Sequence, residues 1–252
     1  DWLSWQSTFL MLAAMVFINT LPILIYPEPK HREVSAAQTT PFNLQQIKNY
    51  LAYFVQSPVL AAWLAVLLSF KIADGLAGPL LKPLMVDLGL SFSQIGIYVT
   101  VLGACAALIG AGLAGYSLKL IRPATALVLY SVLKIFSLAA YTWLAFQYEN
   151  QHSIQPWLIY LINAFEDMTS SMLLVVMLTL VMQYSRKHLA GTDFTFQVAL
   201  MATVSGGLYS VSGLLGDWLG YFNYLCMIVV IAMLSLWFIF KWRGIAMHSD
   251  LS

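Results

Sequence analysis

Seven times along this chain, a run of about twenty residues passes with almost no charge. No other feature constrains the fold more. Hydrocarbon offers a backbone no hydrogen-bonding partner, so a chain crossing it must satisfy its own N–H and C=O groups, and a single run does so as a helix. The runs are roughly Ser7 to Tyr26, Val59 to Leu81, Ser93 to Gly115, Pro123 to Phe146, Pro156 to Met182, Asp193 to Leu215 and Tyr221 to Phe240. Composition agrees. Of 252 residues, 60% are hydrophobic and 9% charged, against about 25% charged in a soluble domain. The expectation is an all-α integral membrane protein. The charges form no basic stripe, so nucleic acid is not an expected partner.

Charges between the runs set an orientation. Lys30, Arg32 and Lys48 follow the first run, Lys119 and Arg122 the third, Arg186 and Lys187 the fifth, Lys241 and Arg243 the seventh. Asp87, Glu149 and Asp217 follow the second, fourth and sixth, with Lys82 the single exception. Positive charge stays in the cytoplasm, which puts the long linker after the first run and the C-terminus on that side. Trp2, Trp5, Trp143, Trp157, Trp218 and Trp242 fall near the expected interfaces.

One run, a basic linker and then six runs suggest part of a twelve-span transporter made of two six-span halves. Residues 1–26 are then the last helix of the N-terminal bundle, 27–57 the cytoplasmic linker, 58–243 the C-terminal six-helix bundle and 244–252 a cytoplasmic tail. The start at Asp1, without Met or a signal peptide, reads as the start of a fragment. The other class is a non-transporting membrane component, a receptor or an assembly subunit.

Ionisable residues inside a span are costly and ask for a function. They are Lys71, Asp74, Lys134, Glu166 and Asp167. Lys71 and Asp74 share one helix face at i, i+3. Lys134 needs a carboxylate from another helix, and Glu166 or Asp167 is expected to provide it. Adjacent helix positions point about 100° apart, so only one of that pair can face it. Three acids against two lysines leave one acid over, and Glu166 is expected to be that acid and to carry a proton. The alternative is that all five form ion pairs that only fix helix register.

Gly75, Gly78 and Pro79 interrupt the second run beside Asp74 and are candidates for a gate hinge. Gly103, Gly110, Gly112 and Gly115 suit close helix packing in the third. Thr192-Asp193 after Gly191 is a helix N-cap signal, and Asp193 with Arg186 is a candidate gate contact. Tyr98, Asn163, Thr169, Ser170, Ser171, Gln197, Ser205 and Tyr209 provide polar groups for a cavity. Cys105 and Cys226 sit in apolar runs as packing residues rather than a disulfide or metal pair. No phosphate-binding loop, metal motif or catalytic set appears, so no cofactor, no metal and no enzyme activity are expected.

Ser69-Phe-Lys-Ile-Ala-Asp-Gly75, Asp87-Leu-Gly-Leu-Ser-Phe-Ser-Gln-Ile-Gly96 and Gly110-Ala-Gly-Leu-Ala-Gly115 resemble the first helices of the C-terminal half of AmpG-type permeases in the major facilitator superfamily. Ala164-Phe-Glu-Asp-Met168 resembles their tenth helix, with Glu166 at the acidic position, and Trp2-Leu-Ser-Trp5 with Tyr26-Pro-Glu-Pro29 their sixth and its exit. Leu189-Ala-Gly-Thr-Asp-Phe-Thr-Phe-Gln197 is closer to siderophore permeases of the RhtX/FptX type. Acetyl-CoA transporters are a more distant likeness. The resemblance implies two six-helix bundles with alternating access, a monomer in the bacterial inner membrane, and proton-driven import of a siderophore or a muropeptide, with the siderophore favoured.

Overall fold

The computed structural model describes residues 5–25 and 52–249, and every described element is helical. The chain divides into two units, residues 1–49 and 50–252. In the first, α1 (Trp5–Ile25) is apolar and contains Pro22. Phe9, Leu10, Val16 and Phe17 are exposed on it. The expected linker lies largely outside the described residues.

The second unit holds α2 (Pro58–Asp87), α3 (Phe92–Ser117), α4 (Pro123–Glu149), α5 (Pro156–Gln183), α6 (Ala190–Leu219) and α7 (Tyr221–Ser249). These six are long and apolar enough to cross a membrane. The chain places their starts locally. α2, α4 and α5 each open on a proline, with the preceding residue extended. Proline at the first helical position loses only a donor that has no partner there, and its fixed φ suits the helix. α3 opens on a capping box, in which Ser91 Oγ accepts from Gln94 N at 3.2 Å and Gln94 Oε1 from Ser91 N at 2.8 Å. Gly89 (φ 91°) turns the chain between α2 and α3, and Gly220 (φ 75°) alone separates α6 from α7. Both φ values are left-handed and suit a residue without Cβ.

The helices outrun the hydrophobic stretches that announce them. Lys82 and Asp87 belong to α2 and Asp217 to α6, not to loops. α7 continues to Ser249, past Lys241 and Arg243 and into the segment expected as a tail. The expected interruption at Gly75 to Pro79 is absent. Pro79 cannot donate to the Gly75 carbonyl, yet α2 is one helix from Pro58 to Asp87. Neighbouring helices support it there. A Cβ on Gly75 would stand 2.8 Å from the Ser205 carbonyl oxygen, so the glycine serves close approach of α2 to α6.

The main packing partners are α3 with α5, α2 with α6 and α7, and α4 with α5 and α7. Two apolar clusters fill the bundle. One gathers Leu76, Leu80, Leu84, Leu138, Tyr141, Leu144, Tyr224 and Ile228. The other gathers Trp63, Leu67, Leu127, Met172, Val176, Leu180, Ile239 and Trp242. Lys71 and Asp74 on α2, Lys134 on α4 and Glu166 and Asp167 on α5 fall between the two, so these charges sit at mid-height between apolar layers. Large apolar side chains face outward, among them Leu108, Ile109, Leu214 and Trp218, as lipid contact requires. Cys226 is partly buried, whereas Cys105 is exposed and does not pack inside the bundle as expected.

Candidate functional site

Three helices bring the mid-height charges together. Lys134 of α4 is buried. Its ammonium bonds the Glu166 carboxylate and the Ser170 hydroxyl of α5 and lies 3.1 Å from Asp74 Oδ1 of α2. One turn beyond Glu166, Ser170 donates to Glu166 Oε1 at 2.9 Å. Lys71 Nζ donates to Asp74 Oδ2 at 2.9 Å, across the i, i+3 spacing. Two lysines and two carboxylates thus form one chain of contacts without net charge, the only cheap arrangement for ions out of water.

Asp167 stands apart. Its position turns it away from Lys134 and toward α3, and its Oδ2 accepts from Nδ2 of Asn163, one turn earlier on α5, at 2.7 Å. Asn163 is buried, donates also to the Val99 carbonyl at 3.2 Å, and accepts from Tyr141 Oη at 3.0 Å. Val99 lies in a π-helical stretch, Ile95–Val101, of the kind often found at functional sites. Asp167 makes no ion pair among the described residues. The expected assignment of Glu166 as the acid left over is therefore corrected. Glu166 holds Lys134, and the carboxylate without a lysine in contact is Asp167.

Close helix approach makes this possible. A Cβ on Gly103 would run into the Asp167 carboxylate and come within 2.9 Å of Asn163 Nδ2, and one on Gly110 would strike the Met168 carbonyl. Ser171 Oγ donates to the Ala107 carbonyl at 2.6 Å across the same interface. Gly103→Ala is expected to push Asp167 and Asn163 out of position, destabilising the bundle by about 1–3 kcal/mol. Thermal unfolding in detergent measures the loss, and an unchanged midpoint would contradict the contact.

Both groups border a cleft of about 230 Å³ lined by Asp74, Gly78, Lys82, Lys134, Glu166 and Asp167, with Asn163 and Ser170 in its wall. Gly78 leaves the wall open, and its nearest neighbour to an added Cβ is the Tyr209 ring at 3.8 Å. Gly75 and Pro79 do not line it.

Arg186 and Asp193 lie elsewhere, where α5 turns into α6. Asp193 is buried and accepts from Arg186 three times, from the backbone N at 2.9 Å, Nε at 2.8 Å and Nη2 at 2.8 Å. The Tyr53 ring lies 4.0 Å from the guanidinium carbon. Gln197 accepts from Trp63 Nε1 at 2.7 Å and donates to the Asp193 carbonyl at 3.2 Å. The N-cap expected at Thr192-Asp193 is not there. α6 starts earlier, at Ala190, with Leu189 at the cap position and no side-chain cap.

The sequence singles out Tyr98 and Tyr209 but not Tyr141, whose hydroxyl donates to Asn163, because spacing alone does not show which tyrosine turns toward the site. Lys82, the exception to the alternation of charge between spans, is carried by α2 to the lining of the cleft.

A family model described as the Major Facilitator Superfamily matches residues 1–210. No solved structure matches the chain. The bundle and the match agree, and the chain belongs to the major facilitator superfamily, whose members are multi-pass secondary transporters of small solutes.

Proposed function

We propose that this carrier imports a polar solute of moderate size, a siderophore in preference to a muropeptide, across the bacterial inner membrane by proton-coupled alternating access. It acts as a monomer with a cytoplasmic C-terminus. The observation that carries the coupling is the charge inventory of the cleft. Lys71 and Lys134 are committed to Asp74 and Glu166, while Asp167 faces the same cleft with no lysine in contact. A carboxylate held between helices without a cation in contact is the natural carrier of a proton through a transport cycle. The siderophore preference rests on the resemblance carried by Leu189 to Gln197.

Uptake of a labelled ferric siderophore and a labelled anhydro-muropeptide, measured in parallel with and without a protonophore, tests this. Protonophore-sensitive uptake of the siderophore alone is the expected result. Asp167→Asn is expected to abolish accumulation against a gradient while downhill entry continues. Full gradient-driven accumulation by that variant would remove Asp167 as the coupling acid. Uptake of neither solute by protein present in the membrane would favour a receptor or an assembly subunit.

A further inference from the structure

Lys82 is the one lysine that breaks the alternation of charge between spans, and the structure gives it another role. It rides on α2 eight residues beyond Asp74, about 12 Å along the helix axis. There it lines the same cleft as Asp167. Lys82 is exposed and makes no ion pair among the described residues.

We propose that Lys82 docks an anionic group of the solute and that this docking is coupled to proton uptake at Asp167. The proposal rests on the transport reading for its solute and extends it to a solute class, one bearing a carboxylate or comparable anion. The argument is charge balance. The cleft's other charges are Asp74 and, behind it, Lys71 on α2, Lys134 on α4 and Glu166 on α5, and these four neutralise one another in direct contact. Tyr141 of α4 reaches Asp167 only through Asn163. α3, packed on the other side of Asp167, carries no Asp, Glu, Lys, Arg or His. Lys82 and Asp167 are therefore the two cleft charges left for each other. An anion bound at Lys82 removes the counter-charge that Asp167 sees, and a proton on Asp167 restores the balance. The proton comes from the side to which the cleft is open, and no covalent bond to the solute forms or breaks. Linkage makes the effect mutual, so a proton on Asp167 must tighten anion binding by the same factor.

The test is thermal unfolding of the purified full-length protein in detergent, titrated with glutarate and with ethanedisulfonate, which stays ionised at any working pH. Putrescine is the cationic counterpart. Both anions are expected to stabilise the protein and putrescine not to. Lys82→Gln is expected to weaken anion binding by about tenfold or more, and Lys82→Arg to restore it. Ethanedisulfonate should bind wild-type protein at least about fivefold more tightly at mildly acid than at mildly alkaline pH, and Asp167→Asn should bind it equally at both. A wild-type protein indifferent to both anions, binding that survives Lys82→Gln, stabilisation by putrescine equal to that by anions, or a pH dependence that persists in Asp167→Asn would each overturn the proposal. This assay does not depend on uptake. Anion binding lost in Lys82→Gln, in a protein that transports neither labelled solute, would keep the docking site and reject the transport reading.

Discussion

Lys134→Gln is expected to lower stability by about 3–5 kcal/mol and to abolish transport, the largest effect of any single change in the bundle. Lys134 is the common cation of Asp74 and Glu166 and is itself buried. With glutamine in its place, both carboxylates stay among apolar helices and only Lys71 remains to balance them. The result depends on charge more than on shape, and that gives a second variant its force. Lys134→Gln with Glu166→Gln removes one charge of each sign and leaves the Lys71–Asp74 pair at its 2.9 Å contact. The double variant is expected to recover most of the lost unfolding midpoint in detergent, with Ser170 still within reach of the introduced amides. Interaction energy between the two positions then appears as non-additivity in the mutant cycle. A double variant no more stable than the single would mean that the geometry of the ammonium, and not neutrality, holds α2, α4 and α5 together.

The sequence already carried the fold class and the number of spans in the second unit, because a helix that must cross hydrocarbon writes itself as a long apolar run. It carried less of the ends. Lys82, Asp87, Asp217, Lys241 and Arg243 look like loop residues by charge, but helices continue past the hydrocarbon into the interfaces and take them along. The site was legible as a list of residues and not as a set of pairs. Periodicity places Lys71 with Asp74, since both are on one helix. Pairing across helices depends on the rotation of α5 about its axis, which gives Lys134 to Glu166 and turns Asp167 to α3. Spacing within one helix contains no such information. Gly103 held the missing clue, because a glycine facing an acid across an interface marks where that acid has to fit, but only the packed helices show which acid it faces.

Asp193→Ala is expected to destabilise the bundle nearly as much as Lys134→Gln, again by about 3–5 kcal/mol, and its effect separates two readings of that end of the molecule. Asp193 and Arg186 suggest a gate contact, one that opens in each transport cycle. The geometry favours a permanent fastening. The Asp193 side chain is 0% exposed, and its two oxygens receive a fork of guanidinium N–H groups together with the Arg186 backbone N–H. Such two-pronged, charge-assisted bonds are among the strongest a protein makes. Beside them Trp63 stacks on Tyr184 with ring centres 5.0 Å apart, and Trp242 Nε1 donates to Tyr184 Oη at 3.2 Å. The start of α2, the turn from α5 into α6 and the far part of α7 are thus tied into one knot, and opening it would expose indoles and a carboxylate at once. A fastening predicts that Asp193→Ala lowers the unfolding midpoint strongly, while each surviving folded molecule transports at the ordinary rate. A gate predicts the reverse, a nearly unchanged midpoint with an altered rate per folded molecule. Arg186→Lys adds a finer test, because it keeps the charge and loses the fork. For a fastening it is expected to fall between wild type and Asp193→Ala in midpoint and to match wild type in rate per folded molecule.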